Sequence, residues 1–164
     1  MAIPSVAQEA SSPVQARDEA VAQVILGILS YTRWPDDPST LRLCIVGPTQ
    51  QADAIFEGAA DATGVPLQVE RLPANEPGLP ERCNAVYLGQ LSDAEQAELT
   101  ARLLDKPILT ISEQAHRCDT GVLFCLVSAG QQVAFEAQLD ALTRSGLRIH
   151  PSVLQLSRSP AVQP

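Results

Sequence analysis

The sequence predicts an α/β fold with a mostly parallel central sheet flanked by helices and a C-terminal antiparallel hairpin. Short apolar, strand-like runs alternate with helical patterns through the first two-thirds of the chain, which is typical of parallel βαβ units. Two later strand-like runs flank a turn-like segment at 128–131, which indicates a hairpin. The length of 164 residues and a hydrophobic content of 45% suit one globular domain.

The folded domain is predicted to span residues 17–158, between a disordered lead-in at 1–16 and a frayed tail at 159–164. The first helix is expected from Arg17 to Tyr31, because apolar residues recur there at spacings of three and four. Asp18 and Glu19 in its first turn suit the helix dipole, and Pro35 prevents its continuation.

Apolar or alternating runs predict the strands, and each lies between turn residues. The predicted strands are 40–46, 67–72, 83–88, 107–111, 122–127, 132–135 and 147–149.

The remaining helices are predicted from amphipathic patterns and from end signals. A short helix is expected at 51–62, closed by Gly64. Ser92 and Glu95 have capping-box spacing and start a helix that runs to about residue 104. A long last helix is expected from Glu136 to Arg144, and a helical turn or two at 151–156.

The charge balance excludes whole classes of partner. Eleven basic and 19 acidic residues give a net charge of −8, which argues against nucleic acid and against an anionic membrane surface. The longest apolar stretch, 21–29, is far shorter than the ~20 residues of a membrane span. The first 16 residues lack the basic and apolar regions of a signal peptide. We therefore expect either a cytosolic protein or a mature form whose signal peptide has been removed.

Four cysteines, Cys44, Cys83, Cys118 and Cys125, are the most informative chemical feature. They form no CxxC pair, so a zinc site is not expected, and two disulfides are favoured over four buried thiols. Four cysteines allow three pairings. Cys118 and Cys125 flank a short polar turn and can close a small loop. Cys44 and Cys83 belong to two predicted strands and can meet only if those strands are offset.

No catalytic constellation or cofactor motif is evident, so we predict neither an enzyme nor a bound cofactor. A GxSxG elbow is missing. His116 lies two residues from Cys118, but no third orienting residue accompanies them.

Two groups of residues are candidates for binding. Arg148 and His150 point the same way on a strand and, with Arg33 and Trp34, could form a pocket for an aromatic or anionic ligand. The alternative is that the charged residues are solvated and Trp34 is part of the core.

The second group is a candidate partner-binding surface. It contains Phe124, which is expected to be exposed, and Glu136 and Asp140, which are expected on the outer side of the last helix.

The order of these segments resembles the YfiR family of periplasmic repressor proteins over roughly residues 18–158. The resemblance rests on SYTRWP (30–35) before LRLCIVG, on ILTISE (108–113), on Cys118 and Cys125, on VAFE (133–136), and on SGLRIHPSVLQLS (145–157). The family resemblance implies an α/β sandwich that typically forms homodimers.

The resemblance also implies a function. Family members are exported to the periplasm, where they repress an inner-membrane diguanylate cyclase by binding its periplasmic domain. An outer-membrane peptidoglycan-binding lipoprotein sequesters them, and the released cyclase makes cyclic di-GMP, which promotes exopolysaccharide and biofilm formation. We therefore expect a non-enzymatic periplasmic regulator, held in its competent fold by redox-sensitive Cys118–Cys125 and Cys44–Cys83 bridges. The alternative function is a small-ligand-binding domain that tunes such repression.

Overall fold

The computed structural model describes residues 13–50, 65–114, 118, 121–129 and 132–157. Within these residues, helices cover both faces of a six-stranded sheet with the order β3-β2-β4-β5-β6-β7. All neighbouring pairs are parallel except β6 and β7, which form an antiparallel hairpin. The strands β1 and β8 form a separate antiparallel pair. The predicted fold class is therefore confirmed.

The strands of the sheet correspond to the predicted apolar runs, with some of their ends shifted. The strands are β1 (Thr32–Arg33), β2 (Leu41–Val46), β3 (Leu67–Leu72), β4 (Ala85–Leu88), β5 (Leu109–Ser112), β6 (Phe124–Ala129), β7 (Gln132–Ala137) and β8 (Arg148–Ile149). The helices are α1 (Pro13–Ser30), α2 (Leu79–Arg82), α3 (Asp93–Leu103), α4 (Leu139–Ser145) and a final 3₁₀ helix (Pro151–Ser157).

Each face of the sheet has its own core. Side chains from alternate strand positions, such as Leu43 and Tyr87, pack with α1 and the 3₁₀ helix in the larger cluster. Their neighbours Cys44 and Val86 point to the opposite face, where α2 and α3 cover a smaller cluster. The central strands are buried on both sides, which explains why they are continuous apolar runs rather than alternating ones.

The end signals of two helices are present as predicted. The Ser92 hydroxyl accepts a hydrogen bond from the Glu95 N–H at 3.1 Å, and the Glu95 carboxylate accepts one from the Ser92 N–H at 3.0 Å. Gly146 closes α4 with a φ of 82°, a left-handed conformation that favours glycine.

Several predicted boundaries were wrong. The helix α1 begins at Pro13, inside the expected lead-in, because proline suits the first turn of a helix. The expected helix from Glu136 to Arg144 is divided, since residues up to Ala137 pair with β6 and only Leu139–Ser145 is helical. The short elements β1 and α2 were not predicted. The predicted helix at 51–62 and the centre of the predicted turn at 128–131 lie outside the described residues.

Over the described ranges, no helix combines the length and apolar character that a membrane span requires.

Candidate functional site

Both disulfides lie in the smaller core, on the α3 face of the sheet. Cys44 is bonded to Cys83, with Cα atoms 5.9 Å apart, and Cys118 to Cys125, with Cα atoms 5.6 Å apart. All four residues belong to the same buried cluster. The bridges therefore fasten segments that pack on one face of the sheet.

The Cys44–Cys83 bridge forms because Cys83 is not part of a strand. Cys83 caps the end of α2, and β4 begins two residues later at Ala85. Its chain segment packs against the α3 face beside β2, on the side to which Cys44 points. The two cysteines can therefore meet without an offset between their strands, which they were expected from the sequence to need.

The Cys118–Cys125 bridge ties a loop to β6. Cys125 is fully buried, and Cys118 is 8% exposed. The Gln138 side-chain amide donates a hydrogen bond to the Cys118 sulfur at 3.1 Å. Glu136 is the cross-strand partner of Cys125, so its side chain lies on the same face of the sheet as this bridge. The hairpin thus places an exposed carboxylate next to the disulfide.

Phe124 is not the exposed contact residue that the sequence predicted. Its side chain is fully buried and meets Phe135 edge-on, with ring centroids 5.4 Å apart. The prediction was wrong because it assumed that β6 has one exposed face. In the fold, β6 lies between β5 and β7, and the larger core covers Phe124.

Glu136 and Asp140 are both exposed, but they do not share a helix face. Glu136 lies on β7, and Asp140 lies in the first turn of α4. Their predicted position on the outer side of one helix was wrong because residues up to Ala137 belong to the strand. The two carboxylates nevertheless flank the same strand-to-helix connection.

An open groove of about 420 Å³ lies at the β1–β8 pair. Arg33 and Arg148 are direct cross-strand partners, and both are exposed. Like charges in such positions repel each other. Neither guanidinium forms an ion pair with any residue in the described part of the chain. The groove therefore concentrates positive charge on a protein of net negative charge.

A ring pair borders this groove. Tyr31 and His150 are stacked, with centroids 5.7 Å apart and an angle of 27° between the rings. His150 Nδ1 accepts a hydrogen bond from the Ser152 N–H at 3.0 Å, which assigns the proton of the neutral ring to Nε2. Tyr31 was not among the predicted ligand contacts, although its place next to Thr32–Arg33 brings it to the same edge.

Trp34, the fourth predicted ligand contact, is not among the residues that line the groove. It belongs to the larger core, and its indole N–H donates a hydrogen bond to the Asn84 carbonyl at 3.0 Å. Trp34 is therefore part of the core, which was the alternative interpretation of this residue. The structure thus brings together Arg33, Arg148 and His150, and it adds Tyr31.

Fold and site together define an α/β domain with two disulfides on one sheet face and a cationic groove at its edge. A YfiR/HmsC-like family model matches residues 18–158. The match covers most of the chain, and the protein belongs to the YfiR/HmsC-like family. This is a family of regulatory, non-catalytic domains, and membership supports a periplasmic regulator of cyclic di-GMP signalling in general.

Proposed function

We propose that this protein is a periplasmic repressor that binds the periplasmic domain of an inner-membrane diguanylate cyclase and holds the enzyme inactive. An outer-membrane peptidoglycan-binding lipoprotein competes for it, so that sequestration releases the cyclase. Cyclic di-GMP, exopolysaccharide and biofilm then increase. The single observation that carries this proposal is the family match over residues 18–158.

The disulfides support the periplasmic location in this proposal. Disulfides persist in oxidising compartments and are rare in the reducing cytosol. Both bridges lie in a core rather than on the surface, and we expect their reduction to destabilise the competent fold. A repressor that acts by occupying a partner's surface needs a defined fold more than it needs a catalytic group.

The proposed contact surface includes the exposed Glu136 and Asp140, beside the Cys118–Cys125 bridge. We also propose a homodimer as the active form, in line with the family resemblance. Phe124 is buried in the core on the other face of the sheet and is not part of this proposed surface.

The test measures cyclic di-GMP in a bacterium that carries such a cyclase from the same organism. The protein is produced either with an export signal or without one. Export is expected to lower cyclic di-GMP, because only the exported form meets the cyclase's periplasmic domain, while the cytosolic form leaves the level unchanged. Equal cyclic di-GMP in both strains, with the exported protein folded and abundant, would overturn the proposal.

A second candidate function is the binding of a small anionic or aromatic ligand in the β1–β8 groove. The observation that favours it is the in-register Arg33–Arg148 pair without a described acidic partner, beside the Tyr31–His150 stack. A carboxylate or phosphate would relieve the repulsion between the two guanidinium groups, and a planar ring could extend the stack. Ligand binding and repression are compatible, since a bound metabolite can shift the affinity for the cyclase.

A thermal-shift screen against aromatic and anionic metabolites tests the second function. A true groove ligand raises the melting temperature of the parent protein but not that of Arg148→Ala. Arg42→Ala, which changes an exposed arginine of β2 that does not line this groove, is the matched control and is expected to keep the shift. A panel with no shift, or shifts that survive Arg148→Ala, would contradict the ligand-binding role of the groove.

A further inference from the structure

The direction in which strands are added to the sheet reverses at β2. The parallel strands have their carboxyl ends at one edge of the sheet. From β2 the chain continues to β3 on one side and then returns to β4 on the other side of β2. The carboxyl ends of strands at such a reversal form the crevice in which doubly wound α/β proteins bind their ligands. The loops after β2, β4 and β5 meet at this edge.

Backbone contact brings the first two of these loops together. The Gly89 N–H donates a hydrogen bond to the Val46 carbonyl at 2.9 Å, and the Gln90 N–H donates one to the Pro48 carbonyl at 2.6 Å. A Cβ atom at Gly89 would lie 2.2 Å from the Pro48 oxygen, so only glycine permits this approach. The crevice is therefore narrow between the loops after β2 and β4.

The carboxylate of Glu113 lies at this crevice. Glu113 directly follows β5, and its residue exposure is 7%. The Gln50 N–H donates to its Oε2 at 3.0 Å, and the Tyr87 hydroxyl donates to its Oε1 at 2.8 Å. The Gln90 side-chain amide also donates to Oε2. One carboxylate thus accepts hydrogen bonds from the loop after β2, from β4 and from the loop after β4.

Neighbouring groups help to orient the donors that face Glu113. The Gln114 amide donates to the Gln90 Oε1 at 3.1 Å, so the Gln90 nitrogen faces the carboxylate. Burial, and then the charge of Glu113, raises the pKa of the Tyr87 phenol above its ordinary value, which keeps the hydroxyl protonated as a donor. A buried carboxylate requires such compensation, because an unpaired one is strongly unfavourable.

We propose that the crevice at the β2–β4 reversal is a carboxylate-binding site whose ligand is the chain's own Glu113. The side chain takes the place of an external anion and holds the loops after β2, β4 and β5 together. Removal of this side chain leaves its donors unpaired around a space that suits a small carboxylate. Acetate matches the Cγ atom and carboxyl group that Glu113→Ala removes.

The experiment is chemical rescue of full-length Glu113→Ala at neutral pH, followed by thermal unfolding. The substitution is expected to lower the melting temperature by roughly 5–10 °C, because buried donors lose their acceptor. Sodium acetate should recover part of this loss in a saturable way, whereas sodium chloride at the same ionic strength and neutral acetamide should not. Hydrogen exchange at the Gln50 amide should quicken in the variant and slow again in acetate.

Three matched proteins make the result decisive. The melting temperatures of these control proteins should rise no more in acetate than in chloride. The controls are the parent protein, Glu113→Gln, and Glu98→Ala, which removes an exposed carboxylate of α3. If Glu113→Ala does not fold when it is produced, its refolding yield in acetate against chloride replaces the melting temperature. No acetate-specific gain in Glu113→Ala, or the same gain in all four proteins, would overturn the proposal.

Discussion

Phe124 and Glu136 show how cross-strand neighbours decide the role of a single side chain. Both residues belong to the β6–β7 hairpin, and both were predicted to face a partner. Phe124 points into the larger core, while Glu136 points to the opposite face and is exposed. A substitution at the first position therefore tests stability, and one at the second tests binding.

We expect Phe124→Ala to lower the free energy of unfolding by about 3–5 kcal/mol, since it removes a fully buried ring and leaves a cavity. Glu136→Ala should change it by less than about 0.5 kcal/mol, because the side chain is exposed. Denaturant unfolding measures both. In a binding assay with the cyclase periplasmic domain, Glu136→Ala is expected to weaken the complex. Unchanged affinity would remove Glu136 from the proposed surface.

At the scale of elements, the capping box at the start of α3 makes a local contribution. The backbone N–H of Ser92, and then its side chain, lower the pKa of the Glu95 carboxyl below its ordinary value. Because the carboxyl pKa is lowered, the stability that the ionised Glu95 side chain contributes is complete above its unfolded-state pKa. It is lost as the pH falls through the folded-state value.

The capping box gives a test with a defined sign. Ser92→Ala is expected to lower the free energy of unfolding by about 1 kcal/mol at neutral pH, because the Glu95 N–H loses its acceptor. An NMR titration should show a higher Glu95 pKa in the variant than in the parent. An unchanged pKa would show that the Ser92 side chain plays no part in the shift.

The Cys118–Cys125 bridge is the element-scale feature closest to the proposed contact surface. It fastens the segment before β6 to the strand that pairs with Glu136. We expect Cys118→Ser to loosen this region and to weaken repression, measured as higher cyclic di-GMP in the export strain. Repression as strong as that of the parent would contradict a role for this bridge in function.

At the scale of the whole molecule, the two faces of the sheet are stabilised by different means. The larger core packs α1 and the 3₁₀ helix against the strands without a disulfide. The smaller core contains all four cysteines. The chain-entropy model gives about 2.5 kcal/mol for a bridge between residues seven apart and about 4 kcal/mol for residues 39 apart. Reduction should therefore affect the α2–α3 face first.

Alkylation of the unfolded, unreduced protein tests this arrangement. We expect no free thiol by intact mass, and we expect peptide mapping to link Cys44 with Cys83 and Cys118 with Cys125. Hydrogen exchange after mild reduction should increase in α3 before it increases in α1. Four free thiols in protein produced through an export pathway would contradict the disulfide-dependent fold.

The sequence by itself determined the fold class, most of the strands, the capping box of α3 and the even cysteine count that indicated two disulfides. These features depend on local periodicity, on end signals or on composition, which a linear pattern contains. The arginine and histidine of the groove could also be found, because alternation on a short strand places Arg148 and His150 on one side.

Only the tertiary structure decided the contacts between distant segments. The pairing of β1 with β8 brought Arg33 opposite Arg148, and the covered position of β6 buried Phe124. Cys83 reached Cys44 because it caps α2, and Glu113 met Gln50 because three parallel strands end at one edge. Each of these contacts depends on strand order and register, which are set by packing across the whole domain and are not marked by any local motif.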